Sequence, residues 1–215
     1  MSAVLTFWPA IVKATLTTLW ISWLALVLGG IVGAVIGHAR LSRRRVLRWS
    51  AVAYTELFRS IPPLLLFAGC YYGLAYTLEI RLSPFAAATL ALTLVASSLM
   101  SEVVRAAIES VGRGQRLAAL ASAMRPLQVM RYVVWPQAVR VMVPAATGVY
   151  ITTLKDSSVA SVIGYLELTR TTLLVRETTG KSFEALLIAA LIYLALTYAI
   201  SWLGALVERK FHFVH

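Results

Sequence analysis

Ionisable side chains interrupt long apolar runs at a few places in this sequence of 215 residues, and these places are the first candidates for chemistry. A charge among apolar groups is costly, so it usually has a partner or a function. Glu56 and Arg59 are three residues apart, a spacing that lets them pair on one helix face. Glu102 stands near the end of another apolar run. Lys155 and Asp156 are adjacent and point in different directions, so we expect one of them to face a cavity.

Groups suited to catalysis or metal binding are sparse. The three histidines are His38, His212 and His215, each near the end of an apolar run. None is spaced with Cys70 or with an acid for nucleophile or metal chemistry. The phosphate-binding pattern GxxxxGK[ST] does not occur in the sequence. We therefore expect no catalytic residue, no metal site and no nucleotide site in this chain.

Composition indicates a membrane protein. Hydrophobic residues make up 60% of the chain and charged residues 13%, against about 25% charged residues in soluble domains. The net charge of +11 would suit nucleic acid, but the basic residues cluster between apolar segments rather than along one stripe. That distribution is typical of cytoplasmic loops, so we expect membrane lipid and no nucleic acid as a partner.

The apolar pattern predicts an all-α integral membrane protein with about five transmembrane helices. The first span is uncharged and, at about 1.5 Å per residue, long enough to cross the hydrocarbon core. Gly29, Gly33 and Gly37 recur there every four residues, which favours close packing of another helix of the chain. The predicted spans of this single domain are 14–37, 51–78, 84–104, 137–158 and 183–207.

Two spans carry local signals. Pro62 and Pro63 predict a kink in the second span. Ser83 followed by Pro84 is typical of a helix that begins with an N-cap and a proline at its first position.

Arginines predict the orientation. Residues 38–48 contain five arginines, so this loop is expected in the cytoplasm, with the N-terminus outside and the C-terminus inside. Segment 105–136 is also rich in arginine and too polar to span. It is therefore predicted to be a cytoplasmic segment between the third and fourth spans.

That cytoplasmic segment has the pattern of an amphipathic helix. Leu117, Leu120 and Met124 follow the spacing of one apolar helix face. The opposite face carries short side chains, which permit close contact with a partner. Pro126 ends the helix, and a second short helix is predicted over 127–135. From these residues alone, a helix lying on anionic lipid headgroups stays an open alternative.

Three stretches, in this order, resemble the permease subunits of ABC importers of the polar-amino-acid type. They are ELFRSIPPLLLF at 56–67, SEVVRAAIESVGRGQRLAALASAMRPLQVMRYVVWPQAVRVMVP at 101–144, and TLKDSSVASVIGYLELTR at 153–170. The resemblance covers the chain from about residue 16 to its C-terminus. It implies a multi-pass protein of the bacterial cytoplasmic (inner) membrane.

The central stretch matches the family's Glu-Ala-Ala motif in part. Ala118, Ala119 and Pro136 match, whereas Leu117 stands at the glutamate position and Ala123 at the later glycine position. The resemblance implies that this helix couples the chain to a separate dimer of ABC ATPase subunits, which bind ATP and Mg. The expected coupling residues are Gly114, Leu117, Ala118, Ala119, Ala123, Met124, Arg125 and Pro136.

The resemblance also implies the remaining partners. The chain forms half of a translocation pathway with a second permease subunit, and an extracytoplasmic binding protein delivers the amino acid. Because Leu117 cannot pair with a basic group on the ATPase, we expect a non-identical second permease that carries the usual motif.

A zwitterionic amino acid needs acidic and basic groups with hydroxyls nearby. The predicted substrate-path residues are Arg59, Glu102, Lys155, Asp156, Ser157 and Ser158, with helix bracing as the alternative for each charge. The motif variants look most like the glutamate/aspartate branch, with basic amino acids or glutamine as alternatives. An intramembrane enzyme and an ATP-independent channel or secondary transporter are the rival interpretations.

Overall fold

Helices account for nearly all of residues 6–211, which are the residues that the computed structural model describes, with side chains to residue 209. No β-strand occurs in this part of the chain, and the all-α prediction is confirmed. In chain order the α-helices are α1 Trp8–Arg40, α2 Arg45–Ser60, α3 Pro63–Ala68, α4 Leu74–Thr77, α5 Pro84–Ser110, α6 Arg113–Ala121, α7 Pro126–Val129, α8 Trp135–Asp156, α9 Leu168–Thr179 and α10 Ser182–Phe211.

Three helices among the described residues are long and apolar enough to cross a membrane by themselves: Trp8–Arg40, Pro84–Ser110 and Ser182–Arg209. They contain the first, third and fifth predicted spans. The second predicted span is divided among α2, α3 and α4, and the fourth corresponds to α8. The number of spans and their orientation stay predictions.

The break in the second span lies where the prolines predicted it. Ile61 adopts an extended conformation, with ψ of 126°, because the residue before a proline is driven out of the helical region. Helix α3 then begins with Pro63 in its first turn. Further along, residues Gly69–Gly73 form a π-helical turn that leads into α4. The second span is therefore an interrupted helix that begins at Arg45, earlier than predicted.

The predicted start of the third span is present in the structure. The backbone N–H of Ala86 donates to Ser83 Oγ at 3.2 Å, and Pro84 occupies the first turn of α5. The helix ends at Ser110, beyond the predicted end at residue 104, and carries Glu102 in its last third.

The glycine repeat of α1 packs against α5. A Cβ atom added at Gly33 would lie 2.6 Å from Met100 Cβ and 2.7 Å from the carbonyl oxygen of Ser97. A Cβ atom at Gly29 would lie 2.6 Å from Ala96 Cβ. We call this contact between the two helices the glycine seam. The small residues thus serve close packing within the chain, as the sequence predicts.

The predicted helix boundary at Pro136 is wrong. Helix α7, the π-helical turn Met130–Val134 and α8 follow one another without a break, and Pro136 lies in the first turn of α8. Proline has no N–H to donate. In the wider π turn the N–H of Trp135 donates to the carbonyl of Met130, five residues back, so the chain stays helical where it meets the proline.

Candidate functional site

A cluster of charges lies where α1, α2 and α5 meet. Glu102 Oε2 accepts a hydrogen bond from Arg40 Nη1 at 2.6 Å, and Arg59 Nη1 lies 3.9 Å from the same oxygen. Arg105 Nη2 donates to Glu102 Oε1. The Arg40 side chain is only 8% exposed. One carboxylate therefore connects three helices through three guanidinium groups.

The predicted pair Glu56–Arg59 forms a contact, and so does Glu102 with Arg105, which has the same spacing of three residues. Arg59 Nη1 is 3.9 Å from Glu56 Oε1, and Arg105 contacts Glu102. The sequence indicates Arg40 only as one of the arginines of a basic loop, and the fold of the chain brings it to Glu102. Because positive charge already surrounds Glu102, the arrangement favours the bracing role over binding of a ligand ammonium group.

The second group of predicted residues lies at the end of α8. Lys155 is exposed and Asp156 is half-buried, and neither forms an ion pair with a described residue. Ser157 Oγ donates to the carbonyl of Leu154 at 2.7 Å, and Ser158 Oγ donates to that of Lys155 at 2.7 Å. The two hydroxyl protons are thus engaged by the backbone, which leaves their oxygens as acceptors.

The structure does not bring these two groups together into one site. Residues Ser157–Ile163 form a 3-10 helix directly after Asp156, and its Ala160 belongs to the same core cluster as Leu92 of α5. Glu102 lies ten residues further along α5, which corresponds to about 15 Å. Among the described residues, no hydrogen bond or ion pair joins Lys155, Asp156 or the two serines to Arg59 or Glu102.

Glu167 is a buried carboxylate between the fourth and fifth predicted spans. It is fully buried before α9, where its oxygens accept from the N–H groups of Thr169 and Arg170, each at 2.7 Å, and from Tyr193 Oη at 3.0 Å. Burial raises the pKa of Glu167 to about 7, although these donors oppose the shift. Glutamate is not a favoured N-cap residue, so only the fold reveals that it connects α9 to α10.

The predicted coupling helix is α6, and its leucines point away from the bundle. Leu117 is 65% exposed and Leu120 is 45% exposed. Ala119 is buried in a core cluster with Ile108 and Val129. The helix is therefore held to its own chain by a small side chain, and its large apolar side chains are available to another molecule.

Most of the remaining predicted coupling residues are also exposed. Met124 is half-buried, whereas Gly114, Ala118, Arg125 and Pro136 are exposed. Arg125 N donates to Gln128 Oε1 at 2.8 Å at the start of α7.

The turn after α6 contains an unusual backbone conformation. Ala123 has a φ of 60°, in the left-handed region that residues other than glycine rarely adopt. It stands where the resembling family carries glycine, and the conformation explains that preference. The corresponding turns after Ser157–Ile163 and after α9 use Gly164 and Gly180, with φ of 79° and 68°.

A family model described as the binding-protein-dependent transport system inner membrane component matches residues 25–213. The chain belongs to this family. The permease is a membrane subunit of an amino-acid ABC importer, and the family implies a separate ATPase partner, a second permease and an inner-membrane location.

Curated relatives cover nearly the whole permease. It is 31% identical over 207 residues to the putative glutamine transport system permease protein GlnP of Rickettsia felis, with 95% of each chain covered. It is 33% identical to the arginine transport system permease protein ArtQ of Bacillus subtilis, over 94% of this chain and 92% of that one. It is 32% identical to the glutamate transport system permease protein GluD of Corynebacterium glutamicum, over 86% and 69%.

Solved structures agree with the fold. An amino acid ABC transporter crystallised with histidines matches with a TM-score of 0.91 and 32% identity, over 96% of each chain. An inward-facing MetNI methionine ABC transporter matches with a TM-score of 0.80 at 22% identity, over 97% of this chain and 98% of that one, which supports the fold alone. His212 and His215 of the permease lie outside the described residues.

Proposed function

We propose that the permease transports glutamate and aspartate as half of a translocation pathway, and that α6 couples it to the ATPase. The observation that carries the coupling is the outward face of α6. Two leucines are exposed on a segment that is predicted to be cytoplasmic and is too polar to span the membrane. Exposed apolar side chains grouped on one helix face mark an interaction surface.

Apolar packing takes the place of a charge pair in this contact. Leu117 stands at the family's glutamate position and has no charge with which to bind a basic group. Its large exposed fraction makes it a contact residue in its own right. A partner cleft that accepts Leu117 and Leu120 would bury both side chains when the complex forms, and their desolvation would favour binding.

A charge placed on this face tests the coupling role. Leu120→Asp is expected to reduce the yield of co-purified ATPase subunit by about tenfold, because an unpaired charge would be buried in the contact. The matched control is Ile80→Asp, which places the same charge at an apolar side chain that is 47% exposed between the second and third predicted spans. Equal retention of the ATPase by both variants would contradict docking through α6.

The assignment to acidic amino acids rests on the motif variants. FRSIP at 58–62 and GRGQRLAALASAM at 112–124 look like the glutamate/aspartate branch, and Leu117 points the same way. Glutamine and basic amino acids are the alternatives, since relatives carry glutamine, arginine and glutamate in their names. Thermal shift of the cognate binding protein with glutamate, aspartate, glutamine and arginine tests the assignment. Stabilisation by arginine or glutamine alone would overturn it.

Lys155 and Asp156 are the best candidates for the substrate path. They are opposite charges at the end of α8, without an ion-pair partner among the described residues, and hydroxyl oxygens follow directly. Uptake by Asp156→Asn and Lys155→Met variants is expected to fall while ATPase binding is retained. Wild-type uptake in both variants would remove these residues from the path. Arg59 and Glu102, which are braced together, have the weaker claim.

The partner permease is proposed to be a different chain. With Leu117 and Ala123 in this subunit, a second subunit that carries glutamate and glycine at those positions would supply the missing charge contact. Mass analysis of the purified complex should show one copy each of two permeases. Two copies of this chain without another permease would contradict the proposal.

A further inference from the structure

An apolar groove of about 780 Å³ lies at the end of α1. That volume falls within the range of about 300–1,000 Å³ that is typical of ligand pockets. Three segments form its walls: the last turns of α1, the first turn of α2, and the junction that leads into α8. Its apolar lining includes Val35, Leu41, Leu47, Met130 and Trp135.

The groove continues into the outer surface of α1. Val35 lines the groove and is 65% exposed. It is also the last member of a stripe of exposed apolar residues along α1 at spacings of three and four. The stripe consists of Leu16, Trp20, Trp23, Val27, Ile31 and Val35. Since α1 is long enough to cross a membrane, hydrocarbon beside this stripe would adjoin the groove at Val35.

Arginines adjoin, in sequence, the residues that line the other end of the groove. Leu41 and Ser42 line it immediately before Arg43, and Leu47 lines it between Arg45 and Arg48. The four arginines of residues 43–48 are all exposed, and in the described part of the chain they form no ion pair. The sequence of residues 38–50 contains no acidic residue. Guanidinium groups in such a setting are suited to bind a phosphate.

Apolar side chains stand among these arginines. Val46 is 82% exposed and Trp49 is 64% exposed. Arginine alternating with tryptophan and valine is typical of a segment at the level of lipid headgroups. A soluble acidic partner would account for the charges but not for these two apolar side chains. A bilayer with anionic lipid accounts for both.

We infer that this groove binds one anionic phospholipid of the cytoplasmic leaflet. An acyl chain lies along Val35 and Trp135, and the phosphate group binds the arginines of residues 43–48. The aromatic end of the groove is held in place by stacking of His38 on Trp135, with ring centroids 6.1 Å apart and planes 10° apart. The inference depends on the predicted cytoplasmic position of this loop and not on the amino acid transported.

Quenching of Trp135 fluorescence by brominated lipid tests the inference in the purified transporter. Nanodiscs contain either brominated phosphatidylglycerol or brominated phosphatidylcholine at equal content. The contribution of Trp135 is the difference between the wild-type chain and Trp135→Phe. We expect the anionic lipid to be preferred by at least about fivefold, since each arginine near the surface favours anionic lipid.

Two variants separate the headgroup contact from the groove. Replacing Arg43, Arg44, Arg45 and Arg48 by Gln should abolish the preference for phosphatidylglycerol. Ala39→Phe keeps every charge but fills the groove, so quenching by both lipids should fall. The matched control replaces four cations outside this region, Arg81, Arg170, Arg176 and Lys181, by Gln and should leave the preference unchanged.

Three results would overturn the inference. Equal quenching by both lipids would show bulk hydrocarbon beside Trp135 and no selective site. Absence of quenching by either lipid would show that another protein chain covers the groove. Unchanged quenching in Ala39→Phe would place the lipid elsewhere. Because none of these measurements uses uptake or ATPase binding, their outcome is independent of the proposed transport function.

Discussion

The glycine seam between α1 and α5 and the coupling helix α6 differ in how closely they pack against the rest of the chain. At the seam, backbone and Cβ atoms approach so closely that added Cβ atoms at Gly29 and Gly33 would lie 2.6 Å from their neighbours. Helix α6 contacts its own chain through Ala119 and leaves Leu117 and Leu120 exposed. The seam has no space for a larger side chain, whereas the coupling helix exposes apolar side chains that can pack against another molecule.

The two regions also differ in backbone strain. The seam uses glycine within regular helix, where each glycine allows a close approach. The turn after α6 uses Ala123 in a conformation that suits glycine. The close contact at the seam is consistent with a bundle that moves as a unit. The less favourable turn after α6 is consistent with a coupling segment that adapts to its partner.

Breaking the seam should have the largest effect. Gly33→Val places a side chain against the backbone oxygen of Ser97 and Cβ of Met100, so the helices must separate, at a cost of about 3 kcal/mol or more. The melting temperature of the purified protein should fall strongly or the protein should not accumulate. Gly30→Val is the control, since nothing lies within 4 Å of a Cβ added there. Equal loss in both variants would show that helix propensity, and not the close approach, is responsible.

Removing the charge of Glu102 should have an intermediate effect. Glu102→Gln leaves the nearly buried Arg40 without a carboxylate, which should cost about 2 kcal/mol, less than a fully buried pair because Glu102 is partly exposed. Glu109→Gln is the control, because Glu109 is more exposed and, among the described residues, pairs with Arg105 alone, at 2.5 Å, so its loss should cost no more than about 0.5 kcal/mol. Thermal unfolding in detergent measures both. A smaller loss for Glu102→Gln than for Glu109→Gln would contradict the bracing role.

Relieving the strain after α6 should have the smallest effect, and in the opposite direction. Ala123→Gly is expected to stabilise the turn by about 1 kcal/mol, since glycine adopts the left-handed conformation without steric cost. Hydrogen exchange of α6 amides should slow accordingly. Gly180→Ala is the reverse test at a φ of 68° and should destabilise the end of α9 by a similar amount. Faster exchange in Ala123→Gly would show that the turn is not strained.

Local signals in the sequence were sufficient for several elements. The cap formed by Ser83, the break at Pro62 and Pro63 and the glycine repeat that includes Gly33 are each visible in residues within a few positions of one another. The helix boundary expected at Pro136 is wrong because the chain stays helical through the π-helical turn Met130–Val134 and into α8. No short-range rule predicts such a turn.

The candidate site was less accessible to sequence reasoning. Pairs three residues apart, such as Glu56 with Arg59, were predictable because a single helix determines their distance. The contact of Arg40 with Glu102 spans 62 residues of sequence, and spacing carries no information on it. The same holds for Glu167, whose burial depends on how α9 packs against α10.

The sequence by itself determined that this protein is an apolar helical bundle with basic loops, and it identified the family through motifs along the chain. These properties follow from composition and short-range periodicity, which do not require knowledge of the fold. Only the tertiary structure decided that Glu102 braces three helices, that no ion pair among the described residues joins Lys155 or Asp156 to this cluster, and that α6 turns its leucines outward. Each depends on the relative placement of separate helices, which is set by packing of surfaces distant in sequence.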